Sequence, residues 1–203
     1  FQSDKFLIWG KTDFEFFSKF GIKQEKLIIT GSPRHDSFFT SEHTLSTSKK
    51  VILLALTPIT DRTGLADVNL VIKYEKLLEK LVNSIKKSDN IDIIVKLHPG
   101  ENWHNLSLLK LFKKKYNDIP VYQIRSPKEL IQSSALVINI NHEVFDQSTI
   151  ILEAMILQKP VLQISLDQQF QNSDYDSKNP ILALSYEADW EKYIKKILFE
   201  KNF

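Results

Sequence analysis

Residues 51–56 read Val-Ile-Leu-Leu-Ala-Leu, six apolar side chains in a row with no polar alternation. Three further stretches share this character: Ile91–Leu97 (IDIIVKL), Ala135–Ile140 (ALVINI) and Pro160–Ile164 (PVLQI). A strand with one face in water alternates apolar and polar residues, so runs like these indicate strands buried on both faces. Such strands belong to parallel sheets covered by helices on each side. The segments between them supply the helices. Asp67–Lys87 carries Leu70, Leu77, Leu78, Leu81 and Ile85 on one stripe, and Leu106–Tyr116, Ser148–Leu157 and Ala188–Phe199 also have helical spacing. Ser126-Pro127-Lys128-Glu129 reads as a helix start, with Ser as cap, Pro first in the helix and Glu three after the cap. Val121–Ile124 and Ile181–Leu184 complete the strands. From residue 51 to 203 the expectation is a doubly wound, Rossmann-like α/β domain with a parallel sheet and helices on both faces.

Outward from this domain, residues 1–50 form a shorter unit of strand, helix and strand. The apolar runs Phe6–Trp9 and Leu27–Ile29 flank a candidate helix, Asp13–Phe20, which Gly21 ends. The polar stretch Thr40–Lys50 reads as a linker. The chain has 203 residues and begins with Phe rather than Met, which suggests a piece of something longer. The unit 1–50 is therefore expected to be the remnant of an N-terminal domain with its inter-domain linker.

Composition narrows the function. Hydrophobic residues make up 42% and charged residues 26%, ordinary values for a folded domain and too apolar for a disordered one. Lys and Arg number 27 against 25 Asp and Glu. An excess of two is no nucleic-acid footprint, so nucleic acid is not expected as a partner. Cys is absent, which excludes disulfides, thiolate metal sites and cysteine nucleophiles, and fits a cytoplasmic protein. No apolar run reaches the roughly 20 residues needed to span a bilayer.

In open α/β sheets, ligands bind at the carboxyl ends of the strands beside helix N-termini. The residues there are Thr57-Pro58, His98-Pro99-Gly100-Glu101, Asn141–Thr149 and Leu166-Asp167. The five glycines build neither a GxGxxG nor a GxxxxGK[ST] loop, so classical dinucleotide enzymes and P-loop NTPases drop out. There is no HExxH and no GxSxG. His35, His43, His104 and His142 are read as surface residues.

Three junctions remain: Gly31-Ser32-Pro33-Arg34-His35-Asp36, then Lys96-Leu97-His98-Pro99, then Asp146-Gln147-Ser148-Thr149 leading into Ile150–Ala154 and Lys159-Pro160-Val161. In this order they resemble the C-terminal, nucleotide-sugar-binding half of GT-B glycosyltransferases. The resemblance covers most of residues 27–165. It is nearest to the branch of CDP-glycerol glycerophosphotransferases and capsule polysaccharide transferases, with UDP-N-acetylglucosamine 2-epimerases as cousins. It implies a nucleotide-activated sugar or polyol as donor, used in surface polysaccharide or glycan synthesis. It also implies that His98 and the Ser148-Thr149 pair serve the donor phosphates, that Glu153 meets the ribose hydroxyls, and that Arg34 and Asp36 lie at the hinge between domains.

Elementary electrostatics agrees with this assignment. A nucleoside diphosphate brings roughly two to three negative charges, well held by a helix N-terminus and one or two donors. The candidate donor-binding residues are thus Arg34, Thr57, His98, Pro99, Gly100, Ser148, Thr149 and Glu153. Each has a plainer role open to it: Ser148 or Asp146 as a helix cap, Thr57-Pro58 as a turn, Glu153 as a solvated helix residue. No DxD stands at a strand end, so no metal and no further cofactor is expected. The catalytic group is not identified, and the acceptor site would lie on an N-terminal domain, leaving the isolated chain inactive. Lys110, Lys113, Lys114 and Lys115 form either a solvated helix face or a contact with the anionic inner face of the cell membrane. The apolar stripe Trp190, Tyr193, Ile194, Ile197 and Leu198 reads as core, with a docking face for the missing domain as the alternative. Rival functions in the same cleft are a sugar-nucleotide epimerase or hydrolase using Glu101 or Glu143, and a binding module without activity.

Overall fold

The computed structural model describes residues 3–40, 49–59, 68–100, 102–141, 148–166 and 181–200. The chain divides into two compact units, Phe1–Ser41 and Glu42–Phe203. Most of the expected linker, residues 41–48, lies outside the described residues.

In the first unit, β1 (Phe6–Ile8) and β2 (Leu27–Ile29) pair in parallel, with Phe6 opposite Leu27. Helix α1 (Lys11–Lys19) connects them. It starts two residues before the expected Asp13 because the Asp13 carboxylate reaches back to accept the N–H groups of Trp9 and Gly10 at 3.0 and 3.2 Å. Gly21, at φ +82°, takes the left-handed conformation that ends the helix. A turn at Pro33–His35 and α2 (Asp36–Phe39) follow.

The second unit is the expected parallel α/β domain. Its strands are β3 (Lys50–Leu56), β4 (Ile91–Leu97), β5 (Val121–Tyr122), β6 (Leu136–Asn141), β7 (Val161–Ser165) and β8 (Ile181–Ser185). They form one six-stranded sheet in the order β5-β4-β3-β6-β7-β8, every pair parallel. The helices are α3 (Val68–Ile85), α4 (Trp103–Lys115), α5 (Pro127–Gln132), α6 (Thr149–Ile156) and α7 (Trp190–Phe199). Strand order reverses between β3 and β6. The chain builds outward through β4 and β5, then crosses back and builds the other way.

The two sheet faces differ. Partners in a parallel ladder point to the same side, so Val95, Leu54, Ile138, Leu162 and Leu182 make one unbroken apolar row. Residues of α3, α4 and α7 cover that face, including Tyr74, Leu78, Phe112, Trp190 and Ile194. The stripe on α7 is therefore core: Trp190, Ile194 and Leu198 are buried, with Tyr193 and Ile197 packed at their edge. Each fully buried Leu or Ile on this face contributes about 1.5–3 kcal/mol.

The opposite face begins apolar with Leu53 and Val137 but turns polar towards the strand ends. Lys96, Ala55, Asn139 and Gln163 are neighbours across one row, and Asn141, Ser165 and Ser185 across the next. Helix α6 contacts β6, β7 and α5. Lys96, Asn139, Asn141, Gln163 and Ser165 are all buried.

In the second unit the starts of α4 and α5 show what their caps do. Helix α4 begins three residues early, at Trp103, because Asn102 Oδ1 accepts the Asn105 N–H at 2.8 Å. Helix α5 has Ser126 at the cap and Pro127 first, as read, but the Ser126 hydroxyl makes no capping bond. Glu129 instead pairs with Arg125 at 3.2 Å.

Candidate functional site

Leu56 lies opposite Leu97 and Ile140 in the two ladders, so the residues that follow β3, β4 and β6 emerge side by side at one sheet edge. These are Thr57, His98 and Asn141. Helix α6 runs from the end of β6 back to the start of β7, which sets its N-terminus at that same edge. The reversal of strand order between β3 and β6 makes this the topological switch point, where open α/β sheets hold their ligands.

His98 is exposed and held by its own loop. The Gly100 N–H donates to His98 Nδ1 at 3.0 Å, so the neutral ring carries its proton on Nε2. A Cβ on Gly100 would meet His98 Nδ1 at 3.0 Å and Cε1 at 3.2 Å, so the ring would have to shift to admit it. Beneath the loop, the buried Asn105 amide donates to the carbonyls of His98 and Gly100 at 2.9 and 2.7 Å. Pro99 is exposed beside them.

Ser148 is the cap residue of α6 and half-buried, but its hydroxyl forms no capping hydrogen bond. Its carbonyl accepts from the Ile151 N–H at 2.9 Å, while the hydroxyl is not spent on the helix. Thr149 is half-buried as the first helical residue. The edge thus combines the partial positive charge of a helix N-terminus with hydroxyl groups, a combination suited to anions.

Glu153 is not a solvated helix residue. It is only 2% exposed, on the side of α6 turned into the protein, and its charge acts on Lys96. Lys96 is itself buried and donates to the carbonyls of Leu97 and Gln123 at 2.6 and 2.8 Å, tying the end of β4 to the segment after β5. Burial pushes the Lys96 ammonium below its ordinary pKa, and the Glu153 carboxylate opposes that shift. Lys96 stands in the sequence beside His98 yet was not among the expected site residues, nor was Asn139.

Asn139 is completely buried on β6. Its Nδ2 donates to the Ala55 carbonyl at 2.8 Å and to Thr57 Oγ1 at 3.2 Å, bridging the seam where strand order reverses. The signal for these residues was present: polar letters at every second position in LVININ and VLQIS mark one face of the strand ends.

Arg34 belongs to the first unit, exposed on the turn before α2. Glu101, Glu143, Asp146 and Asp167, like His43 and His142, lie outside the described residues. Two histidines read as surface residues are buried. His104 accepts the Ile59 N–H at 2.9 Å and stands edge-on to Tyr74, and His35 sits between Trp9 and Phe38. A neutral imidazole supplies an acceptor and an aromatic edge, so either fits a polar gap in a core. Among the described residues no group of three His, Asp or Glu could hold a metal ion, and no helix is long and apolar enough to cross a membrane.

Cavities also occur at the opposite edge, where strands begin. One of about 300 Å³ lies between Ile85, Ile91, Ile194 and Phe199, and one of about 550 Å³ is lined by Lys49, Lys86, Asp92 and Asp118. In the second the charges are already paired, Lys86 with Asp118 at 2.6 Å and Lys49 with Asp92 at 3.4 Å. Neither is beside the polar strand ends.

No protein-family model and no curated protein sequence matches the chain. Among solved structures it is similar to TarM, with a TM-score of 0.50 and 15% identity over 96% of this chain and 36% of TarM. It is also similar to the wall teichoic acid polymerase TagF, with a TM-score of 0.44 and 19% identity over 79% of this chain and 38% of TagF. A variant of TagF gives 0.43 and 17% over 80% and 39%. The chain spans little more than a third of the length of these proteins. At 15% identity the likeness to TarM is one of fold, and the fold is the Rossmann-like parallel α/β architecture expected from the strands.

Proposed function

We propose that this chain binds the nucleoside diphosphate of an activated sugar or polyol, as the donor-binding part of a GT-B-type transferase in surface-polysaccharide or related glycan synthesis. The observation that carries the reading is the gathering of Thr57, His98 and the α6 N-terminus at the switch point of a parallel sheet. In this reading the Nε2–H of His98, the hydroxyls of Thr57, Ser148 and Thr149, and the N–H groups opening α6 surround the two phosphates. They neutralise the charge that grows on the leaving diphosphate as the donor bond breaks, an electrostatic and positioning role. Glu153, one turn into α6, is assigned to the ribose hydroxyls. Arg34 stands in the first unit, read as the remnant of an N-terminal partner domain. That partner would bring the acceptor and the catalytic base, so the 203-residue chain alone should not turn over. A peripheral contact with an anionic membrane face belongs to the same proposal, supported by the exposed Lys110, Lys113 and Lys114 on α4.

Calorimetry with CDP, UDP and GDP tests the reading. At least one should bind, and His98→Ala and Ser148→Ala should each weaken it about tenfold, or ~1.4 kcal/mol. Failure of all three to bind, or unchanged affinity in both variants, would overturn it.

A further inference from the structure

The Asn139 amide is spent in an unusual way. Both of its N–H bonds serve the neighbouring strand, one to the Ala55 carbonyl and one to Thr57 Oγ1. Its Oδ1 is buried and without a hydrogen-bond partner. Turning the amide over would set Oδ1 against the Ala55 carbonyl, two acceptors face to face, so the orientation is the one the network allows. An unpaired buried carbonyl costs about 1–3 kcal/mol. An apolar side chain would fill this row without that cost, as Leu162 and Ile138 do on the other face. The arrangement therefore serves something other than packing.

What it serves is the Thr57 hydroxyl. A hydroxyl has one hydrogen and two lone pairs. With an Asn139 N–H on one lone pair, the Thr57 hydrogen cannot point at Asn139. The hydroxyl makes no other hydrogen bond among the described residues, and Thr57 is half-buried at the strand end. Its hydrogen has no acceptor among the described residues and is open to a bound group. A hydroxyl that already accepts a hydrogen bond is also a stronger donor, because the chain of bonds polarises.

We infer that Asn139 is a positioning residue of the switch-point site: it holds Thr57 as an oriented hydrogen-bond donor for an anionic phosphate oxygen, across the seam between β3 and β6. The inference rests on the donor-binding reading above and names a residue and a dependence that reading does not contain. Asn139 acts only through Thr57, so its effect must vanish when the Thr57 hydroxyl is absent.

A double-mutant cycle tests this on the 203-residue chain, using whichever of CDP, UDP or GDP binds most tightly, beside the matching nucleoside without phosphate. Thr57→Val and Asn139→Leu should each weaken diphosphate binding roughly five- to tenfold, and the double variant no further than either alone. Nucleoside binding should change less than twofold. Thr57→Ser, which keeps the hydroxyl, should bind as the unaltered chain does. Should Asn139→Leu fail to fold, Asn139→Ser replaces it in the same cycle. Additive losses, equal losses for nucleoside and diphosphate, or full affinity in Thr57→Val would overturn the inference while leaving the donor-binding reading in place. No nucleotide binding by the unaltered chain would overturn both.

Discussion

The backbone N–H of Gly100 points at Nδ1 of His98, 3.0 Å away, so two neighbours in the chain determine which ring nitrogen can donate outward. The space between them is filled, since a methyl group on Gly100 would come within 3.2 Å of two ring atoms. Gly100→Ala should therefore push the ring aside. The expected outcome is about a tenfold loss of nucleoside diphosphate affinity by calorimetry. Because the loop is exposed, the melting temperature should shift by only about 1–2 °C.

Lys96 and Glu153 are both buried and the Glu153 charge acts on Lys96, so the effects of replacing them should not add. Lys96→Met removes the donor to two carbonyls and the cation on which the Glu153 charge acts. A loss of about 3–5 kcal/mol in urea unfolding is expected. Adding Glu153→Gln removes the opposing charge, so the double variant should be less destabilised than the sum of the two single variants. Strict additivity would show that the two side chains do not interact.

Tyr74 gives a pH signature. Its ring is fully buried against His104, its hydroxyl has no partner, and burial pushes the phenol far above its ordinary value near 10. A folded-state pKa above the unfolded one contributes stability that is complete below about pH 10 and declines as pH rises beyond it. Comparing unfolding of the unaltered chain with Tyr74→Phe from pH 8 upward isolates this group. The two should track each other to about pH 9, after which the unaltered chain should lose up to ~1.4 kcal/mol per pH unit relative to the variant. At neutral pH the variant should match or slightly exceed it, since an unpaired hydroxyl has been removed.

His104 accepts the Ile59 N–H two residues beyond Thr57. His104→Ala should cost about 2–4 kcal/mol, combining a lost buried acceptor with a cavity beside Tyr74. His104→Gln, which restores an acceptor, should recover part of it. Chemical unfolding of the three proteins checks the order.

Where the chain makes its structure by local pattern, the sequence was readable. The strands VILLAL, IDIIVKL, LVININ and VLQIS are apolar enough to declare a doubly covered sheet, and Leu77, Leu78, Leu81 and Ile85 declare the helix that covers it. The strand ends pointed to Thr57, His98 and Ser148, which lie at one edge of the sheet. What escaped depends on atoms brought together from afar. Asn139 looked like one polar letter in an apolar strand, and its meaning lies in Thr57, 82 positions away. His104 became a core residue only because Ile59 offers an N–H where the helix passes. Asn102 moved the start of α4 by three residues through a single side-chain oxygen. Of the two readings of Glu153, the solvated helix residue fails, because α6 packs Ile150, Ile151, Glu153 and Ala154 inward together and helical spacing alone does not show which side is covered.

The seam between β3 and β6 also has a bearing on how the domain assembles. β3, β4 and β5 come from one continuous stretch and can pair as soon as they are made. β6 must find β3 across an excursion of more than 80 residues, as the Asn139–Ala55 bond shows. Contacts of such sequence separation are slow to form, because the loop must close before any of them rewards it. The switch point therefore forms only after β6 is made, later in synthesis than the β3–β4–β5 half of the sheet. A polypeptide interrupted before β6 would hold half a sheet with one side of β3 bare, and would lack the site proposed at the switch point.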